Sequence, residues 1–256
     1  LLGVADDAAS VRGRRTGEMH LALARPTDDP AFGAEAFTPA DLALLTGEVR
    51  RNAAGAFETL KDVLSRLSDD LVETASQALA LRRKVSARLD RLQATSLTCD
   101  KIRIHGAYHL GQVLRSGTDF MIIDFEGDPA RSLEARRARH SPLRDVAGML
   151  RSFGYAAQVA LMAHVARRPG DLDRLLPWAQ VWEQSVCGMF LGSWLRTVEG
   201  STLVPADRDS LVALLEAFLL DKVLLELRYE LENRPAWVRA PLAGLLALNL
   251  EGAQPG

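Results

Sequence analysis

The sequence predicts an α+β chain, mainly helical, with one short β-hairpin set into it. Three observations carry this. Apolar residues recur at three- to four-residue steps over most of the chain. Two Pro residues follow a capping side chain, at Thr38-Pro39 and Ser141-Pro142. The period changes only once, between about 101 and 124.

The elements follow in order. Residues 1–37, with Pro26, Pro30 and Gly33, read as an irregular entry segment. From Thr38-Pro39 a helix runs to about Leu67, with Leu42, Leu45, Val49, Phe57, Leu60 and Leu64 inward. Ser68-Asp69-Asp70 caps a second helix, with acids where the helix dipole favours them. It runs to about Gln93, with Leu71, Leu79, Val85, Leu89 and Leu92 inward. Its basic run (Arg82, Arg83, Lys84, Arg88, Arg91) reads as a solvated face. Residues 101–104 alternate, and two short β-type runs flank a turn at Ser116-Gly117-Thr118-Asp119. Helix resumes at Ser141-Pro142 and runs to about Ala166, with Leu143, Val146, Leu150 and Phe153 inward. Further helices follow at about 172–198 and 206–232. Pro235 and Pro241 punctuate a last piece ending near Leu250, before a tail at 251–256.

Composition narrows the function classes. The 256 residues are 48% hydrophobic, enough for a core. With Lys+Arg 31 against Asp+Glu 33, the net charge of −2 gives no general attraction to nucleic acid or an anionic membrane. Cys99 and Cys187 are too few for a disulfide framework and fit a reducing compartment. No apolar run reaches membrane-spanning length, and the start does not read as a signal peptide. A cytoplasmic location is the expectation, with no nucleic-acid or membrane partner.

Potential ligands concentrate in the hairpin region. Residues 105–112 read H-G-A-Y-H-L-G-Q, and residues 122–127 read I-I-D-F-E-G. A carboxylate ending an apolar β-run, Asp124, is fixed by the strand while the loop beyond stays open. A carboxamide on the paired strand, Gln112, offers a second oxygen. Such hard-oxygen ligands suit Mg²⁺ bound together with substrate phosphates. Asp124 by itself serves equally to cap a turn. His105 and His109 lack the partners of a zinc motif and read more simply as packed or hydrogen-bonded.

These blocks resemble the maltokinases, within the aminoglycoside-phosphotransferase branch of the protein-kinase-like fold. That family carries I-H-G-D-Y-H-L-G-Q, then I-I-D-F-E-G-E-P, then S-P-L-R-D-V-A-G-M-L-R-S-F. Here 104–112 read I-H-G-A-Y-H-L-G-Q, 122–129 I-I-D-F-E-G-D-P, and 141–153 S-P-L-R-D-V-A-G-M-L-R-S-F. Residues 14–21 (R-R-T-G-E-M-H-L) and 229–235 (Y-E-L-E-N-R-P) also resemble the family. The resemblance implies ATP-dependent phosphorylation of maltose to maltose 1-phosphate, within trehalose and glycogen metabolism. Mg²⁺ is the implied cofactor, ATP the co-substrate, and a trehalose synthase domain or subunit a partner. By the family pattern Asp124 and Gln112 hold the metal. Position 107 carries the base that takes the sugar hydroxyl proton, and His105 shapes the loop. The acceptor is expected between the loop and the C-terminal helices, near His109, Arg144, Lys222, Glu226, Tyr229 and Trp237.

Two departures qualify this. Position 107 is Ala, which cannot accept a proton; loss of a positioned base costs about 10²- to 10⁴-fold. No strand-rich segment precedes residue 38, and the chain opens at Leu1 without Met. The expectation is therefore the C-lobe of a kinase-like fold over 38–250, its catalytic loop on a hairpin at about 101–128 and its N-lobe absent, inactive or nearly so as it stands. The alternatives are a pseudokinase or interaction module of a trehalose synthase fusion, and a kinase of another sugar such as glucosamine.

Overall fold

The computed structural model describes residues 2–29, 31–129 and 131–248. The elements, in chain order, are α1 (Leu2–Leu23), β1 (Glu35–Ala36), α2 (Pro39–Val63), α3 (Asp69–Ala80), α4 (Arg82–Gln93), β2 (Asp100–Lys101), β3 (Val113–Ser116), β4 (Asp119–Ile122), α5 (Leu133–Arg137), α6 (Leu143–Val165), α7 (Leu172–Thr197), α8 (Arg208–Asn233) and α9 (Arg239–Ala247). They form two compact units, Leu1–Phe37 with Thr98–Ala206, and Thr38–Leu97 with Asp207–Gly256.

The first unit is built on α1, α6 and α7. Helix α1 lies along α7, and α6 packs on the same helix, with Phe153 edge-on to Phe190 at 5.7 Å. The close approach of α1 rests on two glycines one turn apart. A Cβ on Gly13 would run into the Phe190 carbonyl, and one on Gly17 would lie 2.6 Å from the Thr197 Cβ. Strands β1 and β2 pair antiparallel, Glu35 opposite Lys101 and Ala36 opposite Asp100. An isolated bridge joins Ile102 to His140. Strands β3 and β4 form the hairpin, in register from Val113–Ile122 to Ser116–Asp119, and turn on Gly117 at φ 63°. Arg15 of α1 clamps the hairpin end through Asp119, pulling that carboxyl down to about 2 by its hydrogen bonds.

The second unit packs α2 on α8, with α3, α4 and α9 around them. Thr38 and Asp41 make a reciprocal capping box at the start of α2: Asp41 N–H donates to Thr38 Oγ1 at 3.3 Å, and Thr38 N–H to Asp41 Oδ2 at 2.8 Å. Leu42, Leu45, Val49, Phe57 and Leu60 are buried at the expected helical spacing. Arg88 pairs with Glu216, and Asn52 Nδ2 donates to Asp221 Oδ1 at 2.7 Å.

Several expectations need correction. The entry segment is not irregular, because a 22-residue helix occupies Leu2–Leu23. The helix expected to run unbroken to Gln93 divides at Leu81 into α3 and α4. Ser68 precedes α3 without a side-chain capping bond. The strand-like stretch at 101–104 is only the end of β2, whose partner β1 lies far upstream in sequence, so there are two separate strand pairs. The end near Leu250 and the tail 251–256 fall outside the described residues. Among the described residues no helix is long and apolar enough to cross a membrane.

The α1–α7 contact generates a test. Gly13→Val places a branched side chain against the Phe190 carbonyl. It should destabilise the protein by about 1–3 kcal/mol in urea denaturation, as overpacking does. Unchanged stability would show that α1 does not sit this close to α7.

Candidate active site

The site is best built from the loop at 105–112. His105 is fully buried. Its Nε2 lies 2.8 Å from the Ile123 carbonyl, which only accepts, so Nε2 carries the proton. Nδ1 then accepts from the Ala107 N–H, at a long 3.4 Å. The ring lies between Tyr108, at 5.2 Å, and Phe125, at 5.0 Å. His105 thus joins the loop to the end of the hairpin.

The backbone of this loop is held by one stripe of α6. Asp145 Oδ2 accepts the His105 N–H at 2.8 Å, and Oδ1 the Gly106 N–H at 2.9 Å. Gly148, three residues on, admits the Tyr108 carbonyl, which would lie 2.6 Å from any Cβ there. Ser152 Oγ, four further, accepts the Leu110 N–H at 3.0 Å. Spacings of three and four place all three on one helix face. Burial works against the ionised form of Asp145. The hydrogen bond from His20 Nε2 (3.2 Å), with those from the two loop N–H groups, outweighs it and holds the carboxyl below its ordinary value.

At the hairpin mouth the Ile123 N–H donates to the Gln112 carbonyl at 3.0 Å. That bond sets the two side chains face to face: Gln112 Nε2 donates to Asp124 Oδ2 at 2.8 Å. Asp124 has φ 64°, the only left-handed backbone outside glycine among the described residues. Asp tolerates this better than most residues, and such conformations gather at functional sites. Gly106 (φ 82°) and Gly127 (φ 78°) close the loop behind it; a Cβ on Gly106 would meet the Gly127 Cα at 3.5 Å. One carboxylate and one carboxamide oxygen fit a hard cation that completes its shell with water and phosphate. Among the described residues, no three His, Cys, Asp or Glu side chains are gathered to hold a metal by themselves. On the hairpin face, Leu114 and Met121 are cross-strand partners, 52% and 59% exposed.

The structure thus brings His105, position 107, Gln112 and Asp124 together, with a methyl group at Ala107. His109 turns its Nδ1 to the Gly111 N–H at 3.0 Å and starts the short turn that carries Gln112. Arg144 sits in the first turn of α6, beside Asp145. In the second unit, Lys222, Glu226 and Tyr229 share a face of α8 at spacings of four and three. Trp237 ends the turn after it. Arg234 organises the two aromatics: its fork holds buried Glu230 at 3.0 and 2.6 Å, and its guanidinium lies 5.1 Å from the Tyr229 ring and 6.0 Å from the Trp237 ring. Sequence reasoning overlooked Asp145, Gly148, Ser152 and His20. An acid inside an apolar helical run, with polar or small residues three and seven on, was the available signal.

No family model matches the chain. Similarity to individual proteins is clear. The chain is 29% identical over 250 residues to a glucosamine kinase of Streptacidiphilus jiangxiensis, covering 91% of this chain and 47% of that protein. It is 34% identical over 155 residues to a glucosamine kinase of Mycolicibacterium smegmatis, covering 58% of this chain and 34% of that protein. The chain spans about half or less of these curated relatives. Among solved structures, a glucosamine kinase superposes with TM-score 0.71 at 24% identity, over 97% of this chain and 58% of that one. A glucosamine kinase in complex with glucosamine, ADP and inorganic phosphate does so with TM-score 0.71 at 24% identity, over 96% of this chain and 56% of that one. The fold is the one these structures share.

These findings correct the maltokinase resemblance. The relatives are glucosamine kinases, so maltose and a trehalose synthase domain or subunit are set aside as partners, with the trehalose and glycogen context. The expectation of a C-lobe deprived of its N-lobe is replaced as well. What is observed is a mostly helical chain in two units, aligned over 97% of its length with a glucosamine kinase structure.

Asp145 gives this site a pH signature. Its folded pKa is depressed, so its contribution to stability is present above the unfolded value, about 3.9, and is lost as pH falls through the folded one. Urea titrations between pH 7 and pH 3 should show that loss, and Asp145→Asn should lack this part of it. At pH 7 the same variant, leaving a buried loop N–H against an amide N–H, should cost about 1–3 kcal/mol. Equal acid sensitivity in both proteins would remove Asp145 from this role.

Proposed function

We propose that the protein is an ATP-dependent sugar kinase of the glucosamine type, with its metal and phosphate site at Asp124 and Gln112. The observation that carries this is the pairing of those two side chains at the mouth of a hairpin, on a loop whose backbone is tied to α6. Names of the relatives support the acceptor class, and the ADP complex of a structural neighbour supports the co-substrate.

Asp124 and Gln112 would hold Mg²⁺ through one carboxylate and one carboxamide oxygen. When bound, the ion draws charge from the ATP phosphates. The exposed Leu114–Met121 pair offers an apolar surface on the same hairpin for the flat face of a nucleotide base. His105 keeps the loop in place through the Ile123 carbonyl. In the reaction a sugar hydroxyl oxygen forms a bond to the γ-phosphorus, the bond to the ADP oxygen breaks, and the hydroxyl proton leaves. Ala107 cannot take that proton, so it passes to solvent or a phosphate oxygen. Phosphoryl transfer rests mainly on positioning and electrostatics, so a slow reaction survives loss of the base. For the acceptor we retain His109, Arg144, Lys222, Glu226, Tyr229 and Trp237 as contacts to be tested singly. A carboxylate such as Glu226 suits the ammonium group of glucosamine, and an aromatic face such as Trp237 suits the sugar C–H surface.

The test is ADP release with Mg²⁺ and glucosamine or glucose, on the protein and three variants. Asp124→Ala should abolish turnover. Ala107→Asp should raise it by about 10²- to 10⁴-fold. Glu226→Gln should raise KM for glucosamine more than for glucose. Sugar binding without turnover in both the parent protein and Ala107→Asp would overturn the kinase reading in favour of a binding module. A tenfold preference for glucose, about 1.4 kcal/mol in the barrier, would overturn the amino-sugar assignment.

A further inference from the structure

The β3–β4 hairpin has two faces, because side chains alternate along each strand. Leu114 and Met121 lie on one. Arg115 and Phe120, directly opposite each other across the strands, lie on the other. Helix α1 reaches that reverse face with Arg12, whose guanidinium carbon sits 4.0 Å from the centre of the buried Phe120 ring. Two cations, one from α1 and one from β3, thus share one aromatic side chain.

The other arginines of this part of α1 are paired with acids. Arg14 meets Glu18 at 3.2 Å, and Arg15 holds Glu18 at 2.5 Å together with Asp119 at the end of the hairpin. Arg12 and Arg115 differ. Among the described residues, neither has a carboxylate within ion-pair distance. Arg115 uses its Nε on the Gly117 carbonyl at 3.1 Å, which leaves both Nη groups unengaged. The Arg12 Nε is enclosed without an acceptor, while its Nη groups stay open and donate to no protein atom. Burial, joined by the charge of Arg115, works against the Arg12 cation and lowers its pKa. An arginine stays charged even so at neutral pH. Two like charges therefore stand together with their donor ends open, an arrangement that a shared anion would relieve.

Charge decides which anion fits. A carboxylate brings one negative charge. A phosphate group brings nearly two at neutral pH, with three acceptor oxygens. Two guanidinium groups match that charge and can each offer parallel N–H donors to it. We propose that Arg12 and Arg115 form a binding site for a phosphate dianion on the reverse face of the hairpin, backed by Phe120 and separate from the Asp124–Gln112 pair. The bound group is free phosphate or the phosphate of a phosphomonoester, since the chemistry at the two arginines is the same. Bound there, it ties α1 to β3, the strand that starts next to Gln112. The inference rests on geometry and charge, and is independent of the sugar-kinase reading.

Calorimetric titration at low ionic strength tests this, without Mg²⁺ so that Asp124 repels phosphate. Inorganic phosphate should bind with a Kd of about 1 mM or tighter. Arg115→Gln and Arg12→Gln should each weaken it by about tenfold or more, as loss of a charge-assisted pair does. Arg14→Gln, which removes an equal charge from α1 outside the site, should leave the affinity unchanged. Acetate, with a single charge, should bind at least about tenfold more weakly than phosphate. Glucose 6-phosphate separates the two sources: tighter binding than inorganic phosphate assigns the site to a phosphomonoester, and weaker binding assigns it to free phosphate. Absence of phosphate binding would overturn the proposal. So would an equal loss in Arg14→Gln, which would reduce the effect to net charge, or acetate binding as tight as phosphate. Should Arg12→Gln not fold, the exposed Arg115→Gln decides alone, and full phosphate affinity in it overturns the site. A parent protein that phosphorylates no sugar defeats the kinase reading and leaves these titrations untouched.

Discussion

A single buried carboxylate organises this structure. Asp145 has almost no exposure to water, yet it is held ionised by three N–H donors from two places in the chain, helix α1 and the loop at 105–106. An isolated charge in that position would cost several kcal/mol, so each donor is needed. The need is mutual. The His105 and Gly106 N–H groups lie in a loop with no strand partner, and a buried N–H without an acceptor is nearly as costly. Helix α6 can therefore take only one register against the loop, and α1 only one against α6.

The loop geometry follows from that constraint. Below Asp145 on the same face, Gly148 and Ser152 meet the next backbone groups in sequence, a carbonyl and then an N–H. A helix rises about 1.5 Å per residue, against more than twice that for extended chain. Residues 145–152 span about 10 Å of helix, less than the stretch 105–110 would reach if extended, so the loop bends, at Gly106 (φ 82°), to stay along that face. The loop is fixed by a rigid element at several points, and its open end delivers Gln112 beside Asp124. Preorganisation of this kind suits a reaction that depends on positioning more than on covalent help.

Legibility in the sequence follows the same physics. Helices α2, α6, α7 and α8 were readable because apolar period and punctuation agree: a Thr38 cap with Pro39, Pro142 just before α6 (at its N-cap, where Ser141 was expected to cap), Pro235 after α8. Helix α1 was not. Its polar composition and its glycines, Gly13 and Gly17, argue against helix on propensity, since glycine weakens a helix interior by about 1 kcal/mol. Those glycines are present because α7 passes too close for a side chain, and only the partner helix reveals that. The break at Leu81 carries no Gly or Pro, so local sequence does not mark it. Strand β1 has two residues and a partner more than sixty positions away, below the reach of any periodicity. In the site, Gln112 and Asp124 were legible because a strand end has fixed direction. Asp145 was hidden because its role lies in burial, and its one local signal, an acid inside an apolar helical run, does not say which backbone it holds.

Position 107 shows why this support matters. Every hydrogen bond that shapes the loop involves residues other than its side chain: His105 to Ile123, Asp145 to His105 and Gly106, Ser152 to Leu110. Ala107 contributes only its N–H, to His105 Nδ1. A methyl there leaves the frame intact, and the chemistry of that side chain is separable from the conformation around it. The backbone turn that would present a carboxylate at 107 is held by α1 and α6 whether or not the carboxylate is present. For the conformation of this loop the side chain at 107 is the most replaceable part, and the buried acid that holds its backbone from beneath is the least.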